Sequence, residues 1–527
     1  MVMTALSQRA SEKSYSRLLP ESSGAFRKRL FKGLAAVSPA AATLAFPAPS
    51  LWPLALVCLV PVLLVLSRTE SRKQAAFLGW TGGAAFFLTT HYWMTHKTHV
   101  FQPFIAAMFG ATWLPWALAA RATLGRGRVY RALCLVPSFW VLAEAGRSWD
   151  RLGGPWALLG ATQWNSLWGL EIASWGGVWF VGWVVVAVNT AIAASVLFAR
   201  QRSFESWGGR ELPSSGAVTT CLLSLAVAIA AAWIVASTRR PPEYARVLRI
   251  AGVQPGPIGP AEQRFTVAEA MTLTLQKGYD LVVWGESSLG EDPFLHDIYM
   301  QRLQALASDT GAPLLVNVDA RSRTGSIYKT SLLVDADGPK FRYDKRRLVP
   351  FGEYVPARPL MGWVSWFTDA AREDRGRGQH DVVMQLSKAG VSVAPLICFE
   401  SAFPDMSRSL AQKGSDVIVV QSGNTTFQRS WLPRQHASLA AIRAAETGRP
   451  VIHATLSGVS AAFDAYGAQL AYVSTEYEGT WSVDIPLFQR DTVYSIAGDW
   501  VVWASILLSA VVGGLWVLAN PRRGSSE

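Results

Sequence analysis

Residues 280–287 read DLVVWGES: an apolar run, Leu281 to Trp284, that stops at a glycine and a charged residue, Glu286. A short continuous apolar run bounded by turn residues is the pattern of a strand covered on both faces. The pattern recurs in VLRIAGVQP from 247, PLLVNVD from 313, SLLVDADG from 331, VSVAPLICFE from 391, DVIVVQSGN from 416 and PVIHATLSG from 450. Between these runs, helical patterns span roughly 261–277, 295–308, 402–413 and 432–447. Strands alternating with helices predict a layered α/β domain over 241–490. In such domains the chemistry gathers where strands end and turns begin.

Three such places carry reactive side chains. DLVVWGES ends in Glu286, a charge the strand itself does not require. YDKRRLVPFGEYVP presents Lys345 and then Glu353 in a loop containing glycine and prolines. VAPLICFES ends a strand in Cys398, with Glu400 two residues on. A thiol accepts an acyl group as thiolate, so it needs a base or a cation nearby. A carboxylate can take its proton, and an ammonium can stabilise the oxyanion formed when a carbonyl is attacked. Taken singly, a cysteine at a strand end is more often packing, and a loop Glu or Lys is more often a solvated charge. The ordered set of Glu, Lys and Cys, each in its own local string, shifts that balance.

Outside this domain the chain is greasy. Of 527 residues only 16% are charged, against roughly 25% in a soluble globular protein, and there are 23 Trp and 23 Phe with a mean hydropathy of +0.21. The apolar residues crowd into 31–238 and 499–519, which excludes a fully soluble enzyme, a disordered chain and a small disulfide scaffold. At about 20 apolar residues per crossing, candidate spans are 33–48, 51–67, 77–94, 101–120, 131–146, 168–198, 217–237 and 499–519. The expectation is therefore about eight spans, with a transmembrane helical domain over 31–238, a C-terminal transmembrane helix at 499–519, and tails at 1–30 and 520–527. The basic cluster Arg27, Lys28, Arg29 and Lys32 before the first apolar run resembles a secretion signal. A second apolar run follows at once without a small-residue cleavage site, so an uncleaved membrane helix is the better reading.

Basic residues set the orientation. That first cluster, Arg68/Arg72/Lys73, Arg121/Arg126/Arg128/Arg131, Arg200/Arg202/Arg210 and Arg522/Arg523 share one side if the N-terminus is cytoplasmic. Arg147/Arg151 and Arg239/Arg240 are the exceptions. The 241–490 domain is then extracytoplasmic. The net charge of +12 fits this placement of basic residues better than a nucleic-acid partner, for which no motif is present. Cys58, Cys134, Cys221 and Cys398 lie far apart without a CxxC pair, so neither a zinc site nor a disulfide framework is expected. RSWDRLGGPWALLGATQWNSLWG, between the fifth and sixth spans, reads as an aromatic belt or a lipid-facing platform.

These strings resemble the nitrilase (carbon–nitrogen hydrolase) superfamily, whose Glu–Lys–Cys triad occurs in this chain order on an αββα sandwich. With membrane spans on both sides, the whole chain resembles the apolipoprotein N-acyltransferase family of the bacterial cytoplasmic (inner) membrane. The narrower resemblance rests on KRRLVPFGEYVP at 345–356, GGPWALLGATQ at 153–163, ICFES at 397–401 and DTVYSIAGDW at 491–500. It implies that Glu286 is the general base, Lys345 the oxyanion-stabilising cation and Cys398 the nucleophile. Glu353 would orient the lysine, and Glu400 would support the nucleophile turn. The implied reaction moves an acyl chain from a phospholipid, typically phosphatidylethanolamine, through a cysteine thioester to the α-amino group of a diacylglyceryl-cysteine that begins an apolipoprotein. It needs no cofactor and no metal. One departure is Gly285, where the family usually has proline before the triad glutamate.

A membrane-tethered amidase would use the same triad with water as acceptor. A non-catalytic assembly protein is disfavoured by the joint presence of Glu286, Lys345, Glu353 and Cys398. A transporter is disfavoured by spans with few charges, Glu144 and Glu171 being the main acidic ones, and no repeated half. His436 and Arg443 read as helix-capping and surface residues. MGWVSWFT at 361–368 reads either as a lid dipping into lipid or as an apolar loop packed in the core.

Overall fold

Prolines decide the shape of the first apolar stretch. In the computed structural model, which describes residues 30, 32–126, 128–202, 215–238, 246–323, 325–366 and 372–519, the segments 33–48 and 51–67 are not two continuous helices. They form 3-10 turns at Ser38–Ala45 and Trp52–Leu56 and a short helix α1, Val60–Leu66. Pro39, Pro47, Pro49, Pro53 and Pro61 each remove a backbone donor that a long helix would need. The expected tails at 1–30 and 520–527 lie outside the described residues, Leu30 excepted, as do Arg210, Arg239 and Arg240.

Helices α2 (Arg72–Thr90), α3 (Gln102–Gly110), α4 (Leu114–Leu124), α5 (Val129–Arg147), α6 (Leu167–Arg202) and α7 (Ser215–Thr238) complete the first helical bundle. Among the described residues, Tyr92–Leu124, Val129–Arg147 and Leu167–Ala199 are helical segments long and apolar enough to cross a membrane. Trp52–Leu66, Leu222–Thr238 and Trp500–Val512 are shorter apolar helices.

The α/β domain follows: β1 (Val247–Gln254), α8 (Ala261–Leu273), β2 (Leu281–Trp284), α9 (Asp297–Thr310), β3 (Leu314–Arg321), β4 (Ile327–Asp335) and β5 (Gly338–Asp344). Then come β6 (Met384–Leu386), β7 (Val391–Ile397), α10 (Pro404–Gln412), β8 (Val417–Ser422), α11 (Leu432–Thr447), β9 (Val451–Thr455), β10 (Ser460–Phe463), β11 (Gln469–Val473) and β12 (Gly479–Pro486), and finally α12 (Trp500–Ala519). One six-stranded sheet has the order β12-β1-β2-β3-β4-β5 and the other β11-β10-β9-β8-β7-β6. Each is built on parallel strands, β1-β2-β3 in one and β7-β8-β9 in the other, linked through helices and followed by antiparallel strands. The strands β5, β6 and β10 to β12 were not anticipated from the sequence; β5 is mostly polar, β6 is only three residues long, and β11 has no buried residue.

The sheets face each other across Leu248, Ile250, Leu281, Val283, Val393, Ile397, Val417 and Val419, all buried. Helices α8 and α9 cover the first sheet through Phe265, Ala268, Leu303 and Leu306. Helix α11 covers the second sheet and is buried at every residue but Arg434. Its other face packs on α6, so the core of the membrane domain and that side of the sandwich are continuous.

A break in α6 makes this junction. Gly177 takes φ +69° and divides the helix, freeing the Val178 N–H to donate to Glu446 of α11 at 2.7 Å. A Cβ on Gly177 would lie 2.7 Å from the Tyr494 ring, so a side chain is excluded by both torsion and space. Asp499 accepts from Trp179 Nε1 and Tyr494 Oη, each at 2.9 Å, and Trp500 Nε1 donates to the Trp175 carbonyl at 2.8 Å. DTVYSIAGDW thus clasps the α6 break.

Candidate active site

Glu286 and Cys398 both leave the C-terminal ends of parallel strands, β2 and β7, where open α/β sheets present their chemistry. Gly285 lets the first of these turns approach the second sheet. A Cβ there would sit 1.9 Å from the Leu456 backbone nitrogen. Ser422 accepts from both Glu286 N, at 3.0 Å, and Leu456 N, at 2.9 Å, which ties the ends of β2, β8 and β9 together. We expect Gly285→Ala to destabilise the domain by about 3 kcal/mol, because backbone must move to admit the methyl group. The check is a lowered thermal midpoint of the purified protein; an unchanged midpoint would contradict the close approach.

The residue after Glu286 is Ser287, with φ +59°, and Cys398 itself has φ +53°. Left-handed torsions at two non-glycine residues are local strain that the surroundings must hold. Asn317 and Asp319 hold Ser287, through its N–H at 2.8 Å and its hydroxyl at 3.0 Å. Glu400 holds the cysteine turn. Fully buried, its carboxylate accepts from Ile397 N at 2.9 Å, Arg346 N at 2.7 Å, Arg347 N at 3.0 Å and Tyr343 Oη at 2.9 Å. It therefore joins the nucleophile-type turn to the lysine loop. Burial raises its pKa and those donors oppose the rise.

Lys345 is buried, with its Nζ 2.9 Å from Glu353 Oε1 and 3.5 Å from Glu286 Oε1. Glu353 is fixed in turn by Val349 N, which donates to its Oε2 at 2.8 Å. The structure thus brings Glu286, Lys345, Glu353 and Cys398 into one cluster, with Glu400 bonded to the backbone on either side of it.

A residue not singled out from the sequence is closer to Glu286 than Lys345 is. Lys329 Nζ, on β4, donates to Glu286 Oε1 at 2.6 Å and to Ser287 Oγ at 3.2 Å. Burial resists ionisation of Glu286, but Lys329 and Lys345 overcome it and hold its pKa down to about 2. Burial works the same way against both ammonium groups and is overcome by the glutamates, so both lysines stay charged. The Cys398 thiol lies within electrostatic reach of Glu286, Lys345 and Lys329. Burial, and then the negative charge of Glu286, push that thiol up to about 12. The resting arrangement is a protonated thiol beside an ionised carboxylate and a fixed cation. A carbonyl placed against Cys398 would find a nucleophile, an acceptor for its proton and a charge to meet the developing oxyanion.

His436 departs from the surface role its sequence context suggested. It is buried, its Nε2 donates to the Cys398 carbonyl at 3.0 Å, and its Nδ1 lies 3.2 Å from Ser422 Oγ. Burial lowers its pKa to about 4. Arg443 is buried as well, bonded to the Ala402 carbonyl and Glu446. Both readings failed because α11 is buried from Gln435 through Thr447. The GGPW block also faces protein and not lipid: Trp156 stacks on Phe399 at 6.4 Å between ring centroids and meets His436 edge-on at 5.4 Å. The described part of the 361–368 segment is not packed in the core, for Trp366 is 81% and Trp363 46% exposed, and the preceding Leu360 is 78% exposed. Phe367 and Thr368 lie outside the described residues.

A two-sheet sandwich with these groups at its strand ends, docked on a bundle of apolar helices, defines a membrane-associated enzyme of the carbon–nitrogen hydrolase class. Residues 249–493 match the carbon-nitrogen hydrolase family, and residues 38–191 match the apolipoprotein N-acyltransferase N-terminal domain. The chain is 29% identical to the apolipoprotein N-acyltransferase of Geobacter metallireducens over 92% of this chain and 94% of that one. It is 30% identical to that of Pseudomonas syringae pv. tomato over 86% of this chain and 88% of that one. Among solved structures, an amidase from Nesterenkonia sp. aligns at 20% identity and a TM-score of 0.35, covering 47% of this chain and 91% of that chain. The chain belongs to the apolipoprotein N-acyltransferase family.

Proposed function

We propose that this acyltransferase moves an acyl chain from a membrane phospholipid, such as phosphatidylethanolamine, to the α-amino group of the diacylglyceryl-cysteine that begins an apolipoprotein. The observation that carries the reading is the Cys398 thiol on its strained turn, beside the charges of Glu286 and Lys345. In the first half-reaction the thiol proton passes to Glu286 as the sulfur–acyl bond forms. Lys345, oriented by Glu353, carries the oxyanion charge. The ester C–O bond then breaks, and Glu286 returns the proton to the departing oxygen, releasing a lysophospholipid. In the second half-reaction the lipoprotein amine attacks the thioester, giving up a proton to Glu286. The C–S bond breaks, the thiol regains its proton and an N-acyl amide leaves.

Both substrates are lipid-anchored, so the site belongs close to a bilayer. The basic residues flanking the apolar segments support a multi-pass chain of about eight spans, with cytoplasmic termini and the 241–490 domain on the periplasmic side. The exposed side chains Leu360, Trp363 and Trp366 fit a lid that rests in lipid. Trp363→Ser combined with Trp366→Ser is expected to raise KM for donor vesicles several-fold with kcat within about twofold, the mark of lost binding shared by ground and transition states. Initial rates against donor surface concentration check this; an unchanged KM would remove the segment from lipid engagement.

The acceptor is tested by isolating the acyl-enzyme and offering it a diacylglyceryl-cysteinyl peptide or buffer alone. Transfer to the peptide, with the thioester surviving in buffer, supports the proposal. Equal loss in both favours an amidase-like hydrolase.

A further inference from the structure

We propose that Lys329 is a positioning residue for the general base: its ammonium anchors Glu286, keeps that carboxylate ionised and thereby sets the acidic end of the working pH range. The inference rests on the assignment of Glu286 as base. Two ammonium groups and two glutamates share the site, and the distances pair them off. Lys329 belongs to Glu286 at 2.6 Å, and Lys345 belongs to Glu353 at 2.9 Å. The crossed distances, Lys345 to Glu286 and Lys329 to Glu353, are both 3.5 Å. Without Lys329, Glu286 would have Lys345 as its nearest cation and would draw it away from the place where an oxyanion forms. Lys329 therefore protects the division of labour as well as the charge of the base.

Its own position is over-determined. The β3–β4 register sets Lys329 opposite Asp319, whose carboxylate lies 3.7 Å from Nζ and is itself paired with Arg375. The side chain is 12% exposed, whereas Lys345 is fully buried, so Lys329 closes the solvent side of the cluster. The charged and titratable groups around Glu286 come from every neighbouring element: Lys329 on β4, Asp319 on β3, Lys345 and Glu353 on the loop after β5, and Cys398 after β7. His436 on α11 and His453 on β9 also face it, and burial lowers their pKa values to about 4 and about 3. With Arg375 behind Asp319, the carboxylates Glu286, Glu353 and Asp319 are matched by Lys329, Lys345 and Arg375. Removing the Lys329 charge leaves one carboxylate unmatched beside a thiol that must lose a proton.

The sign follows. Glu286 accepts the thiol proton only when ionised, so acylation fails as pH falls through its pKa. A neighbouring cation lowers that pKa, and its loss raises it. The test is single-turnover acylation of Cys398 by the full-length protein in vesicles of phosphatidylethanolamine and phosphatidylglycerol, followed by peptide mass between about pH 2 and about pH 9. Lys329→Met and Lys329→Gln should move the acidic limb upward by about one pH unit or more. Lys329→Arg should leave it near that of the parent. A limb that does not move in the neutral variants, or failure of both to fold while Lys329→Arg folds, overturns the proposal in favour of a purely structural lysine. Full acylation by Glu286→Gln would instead overturn the base assignment, an outcome that the Lys329 variants alone do not produce.

Discussion

Cys398→Ala is expected to abolish the covalent acyl intermediate and reduce transfer to background while the protein remains folded. No other described group is placed to replace the sulfur: Ser401 Oγ is engaged with the Cys398 carbonyl and His436, and Ser422 with His436. The exchange removes one half-buried atom, with a transfer cost on the order of 1 kcal/mol, and alanine bears the left-handed torsion no worse than cysteine does. The Glu400 bonds that shape the turn come from backbone N–H groups and Tyr343, so they survive. The check pairs a transfer assay with a thermal midpoint. Turnover near that of the parent in a folded Cys398→Ala protein would exclude Cys398 as nucleophile.

The second large effect is at Lys345. Loss of an oxyanion-stabilising donor costs a hundredfold or more in turnover, about 2.7 kcal/mol at the least. Lys345→Ala should therefore lose at least that much. It should also lower the thermal midpoint, because breaking a buried ion pair costs about 3–5 kcal/mol when its partner stays charged, and Glu353 is left so. The two effects are separable. Lys345→Ala with Glu353→Gln removes the stranded charge and should recover much of the stability without recovering turnover. Activity of Lys345→Ala within tenfold of the parent would remove Lys345 from the catalytic set.

The strand ends were readable because β2 and β7 are short, fully buried runs that stop abruptly at a charge and a thiol. Lys345 and Glu353 were readable because they share one loop. Lys329 was not. It stands in an ordinary strand, IYKTSLLVD, and acquires meaning only when the β3–β4 register and the β2 turn bring Asp319 and Glu286 to it. His436 and Arg443 were misread for a related reason. Polar residues in an alanine-rich helix suggest a wet face, yet α11 is enclosed by the second sheet and α6, and its charges serve each other and the Val178 N–H. Span length was legible through 168–198, but the break at Gly177 was not, because the residues that meet it there, Tyr494 and Glu446, lie far along the chain.

The central claim is that Cys398 carries the acyl chain, and the direct measurement is the mass of the purified full-length protein after incubation with phosphatidylethanolamine vesicles and no acceptor. The account predicts a gain of one acyl chain, located on the Cys398 peptide and released by hydroxylamine as a thioester is. An unmodified Cys398 in a preparation that still N-acylates a diacylated lipopeptide would contradict it.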